Sequence, residues 1–100
     1  VQGCVDGAIG AFGRLDVLVN NAGLNVRQAA FDVTEDAWDA VLDVNLKGLF
    51  FVAQRAGRAM RNQDPPGGCI VNVASIMGLV GYKDRAAYCA SKGGVVNLSR

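Results

Sequence analysis

The hydrophobic positions fall into five stretches with two different periods. Residues 1–13 (VQGCVDGAIGAFG) have the spacing of the last turns of a helix, closed by Gly13 where a left-handed residue commonly ends one. Leu15-Asp16-Val17-Leu18-Val19 is short, apolar and Val-rich, which predicts a strand buried on both faces of a parallel sheet. Asn20-Asn21-Ala22-Gly23 breaks that run, and a polar loop follows to Val33. Thr34 is a good N-cap, and Glu35 and Asp36 suit the first turn of a helix dipole. From there to about Asn62 the pattern predicts one helix. Trp38, Leu42, Leu49, Val52, Ala56 and Met60 recur at three- and four-residue spacing, and Asn45 falls on the same stripe. Asp64-Pro65-Pro66-Gly67-Gly68 ends it. Cys69 to Ala74 predicts a second buried strand, and Ser75 to Asp84 a Gly-containing loop. Arg85 to Arg100 predicts a helix rich in small residues, whose surface lets another backbone approach closely.

The order helix, strand, helix, strand, helix is a βαβ unit with flanking helices, hence an α/β fold with parallel strands in one domain. Two parallel strands need cover on both faces and both edges, which five such elements do not supply. The chain has no initiator Met, and its last helix carries no cap signal. The expectation is therefore the central part of a larger domain.

Composition narrows the function. Of the 100 residues 51% are hydrophobic and 19% charged, an ordinary globular balance. The net charge of +1 and the lack of a basic stripe argue against nucleic acid. No apolar run approaches the ~20 residues of a membrane helix, and no secretory signal opens the chain. Cys4, Cys69 and Cys89 form no CxxC pair, which fits a reducing, cytoplasmic setting. The absence of histidine excludes Ser-His-Asp and Cys-His catalysis and His-ligated zinc.

Ligands of open parallel sheets bind beyond the carboxyl ends of the strands. Asn20 to Gly23 follow the first strand and Ser75 the second. Tyr88 and Lys92, four residues apart, share one face of the last helix. A free tyrosine releases its proton only near pH ~10, too high for acid–base work at neutrality, and a cation one turn away favours the tyrosinate form. Ser75 can hydrogen-bond a carbonyl or alkoxide oxygen. No side chain donates a hydride, so such chemistry calls for a nicotinamide cofactor. Asn45 is polar on an apolar stripe. Burying it unpaired would cost about 1–3 kcal/mol, so it should hold a water or backbone group.

At these residues the sequence resembles the short-chain dehydrogenase/reductase family. Asn20-Asn21-Ala22-Gly23 is similar to its NNAG motif and Val44-Asn45-Leu46-Lys47-Gly48 to its catalytic-asparagine segment. Ile70 to Ser75, followed by Gly78, is similar to its serine segment, and Tyr88-Cys89-Ala90-Ser91-Lys92 to its Tyr-x-x-x-Lys motif. The resemblance implies a Rossmann-type doubly wound sheet and an oxidoreductase that interconverts an alcohol and a carbonyl with NAD or NADP. It implies Tyr88 as acid/base, Lys92 as its aid and a ribose ligand, Ser75 as orienter of the substrate oxygen, and Asn45 as support of a relay water. It places Asn20, Ala22 and Gly23 along the cofactor. It also implies a homodimer or homotetramer of the parent protein, paired through helices 35–62 and 85–100. The family's Gly-rich phosphate turn and C-terminal substrate segment lie outside these residues, so the stretch alone should be inactive.

Gly3, Gly7, Gly10 and Gly13 mimic a dinucleotide fingerprint, but they precede a strand instead of following one. They are expected to allow close helix packing, with Gly13 as the stop. Trp38, Phe50 and Phe51 are expected in the core or a subunit interface. Two other readings compete with a dehydrogenase. One is an epimerase or dehydratase of the extended relatives, against which the NNAG form argues. The other is a non-catalytic oligomerisation or binding module, against which the full set of four catalytic residue types argues.

Overall fold

The computed structural model describes residues 2–100, in which α1 (Gln2–Phe12), β1 (Val17–Asn20), α2 (Glu35–Leu42), α3 (Leu49–Asn62), β2 (Cys69–Asn72) and α4 (Ala86–Leu98) follow in order. α1 stops where expected. Gly13 has φ +83°, and its N–H donates to the Ile9 carbonyl at 2.7 Å. That conformation favours a residue without Cβ. β1 and β2 pair in parallel, Val17 opposite Cys69 and Asn20 opposite Asn72, with the helical crossover between them.

The core lies under one face of this sheet. Val5 of α1 meets Ala56 and Met60 of α3, with Ile9, Leu15, Leu18 and Val52 packed around them. Burying Val5 or Met60 contributes about 1.5–3 kcal/mol each. Gln63, just past α3, ties its end to the start of β1. Its Oε1 accepts from the Leu15 N–H at 3.0 Å and its Nε2 donates to the Leu15 carbonyl at 2.7 Å.

Three expectations are corrected. The strands are not buried on both faces: Val17 and Val19 are 57% and 56% exposed. A single crossover covers one face of a two-stranded sheet, and no described element lies over the other. Gly3, Gly7 and Gly10 are exposed, with open space where a Cβ would stand, so they mediate no packing among the described residues. The helix over 35–62 is also not continuous. A π-helical turn, Asp43–Gly48, separates α2 from α3. Its i→i+5 winding adds one residue to the turn, and the buried positions Val41, Asn45 and Leu49 step by four, a spacing an α-helix also allows, so apolar periodicity alone does not betray it. A Cβ on Gly48 would stand 2.9 Å from the Asp43 carbonyl oxygen, so glycine suits the point where this wide turn closes.

The small residues of α4 do what their size predicts. A Cβ on Gly94 would stand 2.7 Å from Leu46 Cδ2, so the π turn rests directly on the α4 backbone.

Candidate active site

Asn45 is the fully buried polar residue of the π turn, 0% exposed. Protein groups take both of its donors and one of its two acceptor positions. Oδ1 accepts from the Leu24 N–H at 2.7 Å, and Nδ2 donates to the Leu24 carbonyl at 2.8 Å and to Ser91 Oγ at 3.1 Å. The partner is thus backbone, one of the two options the sequence left, plus a hydroxyl it did not point to. The Leu24 bonds pin the loop after β1 against the bundle.

Tyr88 and Lys92 lie one turn apart on α4. Lys92 is only 4% exposed. Its Nζ donates to the Val73 carbonyl at 3.0 Å and sits 5.7 Å from the Tyr88 ring centroid, within cation–π range. A buried ammonium is costly unless its donors are used. It has three, and Val73 takes one.

Both side chains open into a cleft of about 350 Å³ between loop residues Asn21, Gly23, Leu24 and Asn25 and the end of β2 at Val73 and Ala74. A Cβ on Gly23 would lie 3.9 Å from Lys92 Nζ and 3.8 Å from Asn45 Oδ1, so the loop backbone passes close above both. Asn20 and Ala22 face the other way. They line a second cleft of about 210 Å³ with Val44, Leu49 and Val52. Successive residues of the NNAG segment therefore line alternate clefts. The Asn20 amide also braces the sheet, with Nδ2 donating to Asn72 Oδ1 at 3.0 Å.

Ser75 lies just past Ala74, outside the residues that line the larger cleft. It is extended (φ −154°, ψ 159°) and N-caps a one-turn 3-10 helix, Ile76–Gly78, its Oγ accepting from the Met77 N–H at 3.2 Å. That turn is seated by Gly78, where a Cβ would stand 2.7 Å from the Lys92 carbonyl oxygen. The next loop ends on Asp84, at φ 60°, whose carbonyl accepts from the Gln28 N–H at 2.9 Å. The loops on either side of the cleft are thereby joined.

So the structure brings Tyr88, Lys92 and Gly23 to one cleft, sets Asn45 behind its wall and Ser75 beside its rim, and turns Asn20 and Ala22 to a neighbouring cleft. Sequence reasoning missed Ser91 and Asn72. The only signal for Ser91 was its place between Tyr88 and Lys92. No group of three or more His, Cys, Asp or Glu able to hold a metal occurs among the described residues, and no described helix is long and apolar enough to cross a membrane.

Comparison with known proteins gives the family. The family model described as short chain dehydrogenase matches residues 1–100. Trans-4-hydroxycyclohexanecarboxylate dehydrogenase of Sinomonas cyclohexanicum is 45% identical over 96 residues, 96% of this chain and 36% of the relative. 3-Oxoacyl-(acyl-carrier-protein) reductase of Staphylococcus aureus is 40% identical over 100 residues, all of this chain and 40% of the relative. The crystal structure of a short chain dehydrogenase from Mycobacterium smegmatis superposes with a TM-score of 0.93 at 39% identity, covering 99% of this chain and 41% of that one. The chain thus spans less than half the length of the relatives it matches, and its βαβ unit is part of a Rossmann-type parallel sheet.

Proposed function

Because the chain belongs to the short chain dehydrogenase family, we propose that the protein carrying it is an NAD(P)-dependent oxidoreductase that interconverts a small-molecule alcohol and the corresponding carbonyl. The observation that carries this reading is the Lys92 ammonium, 4% exposed, anchored by Val73 and lining one cleft with Tyr88.

The cleft suits the ribose and nicotinamide of NAD or NADP. The Lys92 ammonium has donors beyond the one Val73 takes, the Tyr88 hydroxyl can donate or accept, and the loop backbone at Gly23 passes within reach. When bound, the nicotinamide supplies the hydride for reduction or accepts it in oxidation. The remaining work belongs to this chain. In reduction Tyr88 gives its phenolic proton to the substrate oxygen as hydride reaches the carbonyl carbon. Lys92 stabilises the tyrosinate left behind and holds ribose hydroxyls. Ser75 donates to the substrate oxygen and keeps it against Tyr88. In oxidation Tyr88 takes the hydroxyl proton back. Asn45 holds the Leu24 loop and, in the manner of the family, supports a relay water. Gly23 shapes the cofactor cleft, and Asn20 and Ala22 support the strand end from the neighbouring one.

We further propose that the parent is a cytoplasmic homodimer or homotetramer. The end of α2, the π turn, α3 and α4 present Leu42, Leu46, Phe50, Phe51 and Leu98 around one open apolar cleft. A second copy that packs the same helices against these would remove that surface from water.

Titration of the full-length protein with NAD, NADH, NADP and NADPH, followed by fluorescence, tests the reading. Saturable binding of at least one pair is expected. No saturable binding of any of the four by the folded protein would overturn it.

A further inference from the structure

Ser91 lies between the two residues assigned to proton transfer and cofactor binding, and it is 0% exposed. Its hydroxyl works in two directions. Oγ–H donates to the backbone carbonyl of Tyr88 at 2.7 Å, and the same oxygen accepts from Asn45 Nδ2 at 3.1 Å. Asn45 in turn grips both backbone groups of Leu24. A continuous chain of hydrogen bonds therefore runs from the helical turn that carries Tyr88 and Lys92, through Ser91 and Asn45, to the loop that forms the facing wall of the cleft. None of these buried side-chain atoms lacks a partner among the described residues.

We propose that Ser91 is a positioning residue that fixes the width of the cleft, by holding the α4 turn of Tyr88 and Lys92 at a set distance from the Leu24 loop through Asn45. The inference rests on the oxidoreductase reading, since that reading gives the cleft width its consequence. Apolar packing cannot do this job as sharply, because Leu46 and Gly94 meet through a flexible side chain. A hydrogen bond restricts both distance and angle, and a misplacement of about 1 Å between reacting groups can cost up to ~100-fold in rate. With alanine at 91, one Nδ2 N–H of a fully buried amide loses its acceptor, so Asn45 must turn or let the loop move.

The test uses the full-length protein with Ser91→Ala and Ser91→Thr. Alanine is a better helix former than serine, so α4 should persist. Threonine keeps the hydroxyl and its bond to the carbonyl three residues back. Ser91→Ala is expected to lower kcat about tenfold with KM for the cofactor changed by less than about threefold. It should also speed amide hydrogen exchange in segment 21–25, a readout independent of turnover. Ser91→Thr should restore both to within about threefold of wild type. Wild-type kcat and exchange in Ser91→Ala would overturn the proposal. So would a Thr variant as impaired as Ala, since volume and not the hydroxyl would then be the cause. If Ser91→Ala does not fold, Ser91→Cys, which keeps a side chain of similar size but weakens both hydrogen bonds, takes its place under the same criteria. A wild-type protein without cofactor binding would instead sink the oxidoreductase reading, and the exchange result would stand apart from it.

Discussion

Gly78 is the position where a single methyl group should do most damage for its size. An added Cβ would stand 2.7 Å from the Lys92 carbonyl oxygen, 2.8 Å from Val96 Cγ2 and 3.0 Å from the Lys92 carbonyl carbon. Ordinary contact begins at 3.4 Å, so the shortfall against the carbonyl oxygen is about 0.7 Å. Two of the three atoms are helix backbone and cannot swing aside. The turn Ile76–Gly78 must lift, and Ser75 caps that turn. Overpacking of this kind costs roughly 1–3 kcal/mol. In a domain of roughly 150–250 residues that is a fall in Tm of roughly 2–12 °C. Lifting Ser75 by a comparable distance should cost kcat about tenfold or more. Gly93→Ala is the matched control, because its Cβ would lie 3.8 Å from the Gly78 oxygen, in ordinary contact. It should be neutral or stabilise α4 by up to about 1 kcal/mol. Thermal unfolding and steady-state kinetics on the two full-length variants decide the matter. Wild-type Tm and kcat in Gly78→Ala would refute the claim that this turn is seated by contact with the Lys92 backbone.

Two further outcomes follow from the geometry. Asp84 holds a left-handed φ of 60° while its carbonyl accepts from Gln28, so Asp84→Gly should stay within about 0.5 kcal/mol of wild type and Asp84→Val should lose about 1–2 kcal/mol in chemical denaturation. Phe51, 43% exposed and stacked edge-on against Phe50 at 5.2 Å, lines the apolar cleft of α3 and α4. Phe51→Glu should shift the full-length protein toward monomer in sedimentation velocity, and an unchanged distribution would remove this face from the subunit contact.

The strands, the helices and the Gly13 stop were legible because each rests on local signals: period, Val-rich runs and a glycine. What escaped were features set by tertiary partners. The buried positions across the π turn, Val41, Asn45 and Leu49, step by four, a spacing an ordinary helix also allows, so they cannot show the extra residue. Asn45 announced that it needed a partner, but only the fold reveals that Leu24 and Ser91 supply it. The alternation of the NNAG residues between two clefts likewise shows only once the π turn and α3 stand on one side and α4 on the other. Burial of the strands was over-read, because Val17 and Val19 carry the composition of a doubly covered strand while no described element covers their outer face.

In the proposed mechanism Tyr88 moves the proton in a cleft that Lys92 shares. The measurement that tests it most directly is the change in reduced-nicotinamide absorbance in the full-length protein, wild type against Tyr88→Phe, across a panel of ketones with NADH and NADPH and of alcohols with NAD and NADP. Loss of a positioned acid–base group removes about 100- to 10,000-fold. Wild type should turn over, and Tyr88→Phe should fall at least about 100-fold below it with cofactor binding and Tm retained. A Tyr88→Phe variant that keeps near-normal turnover would contradict it.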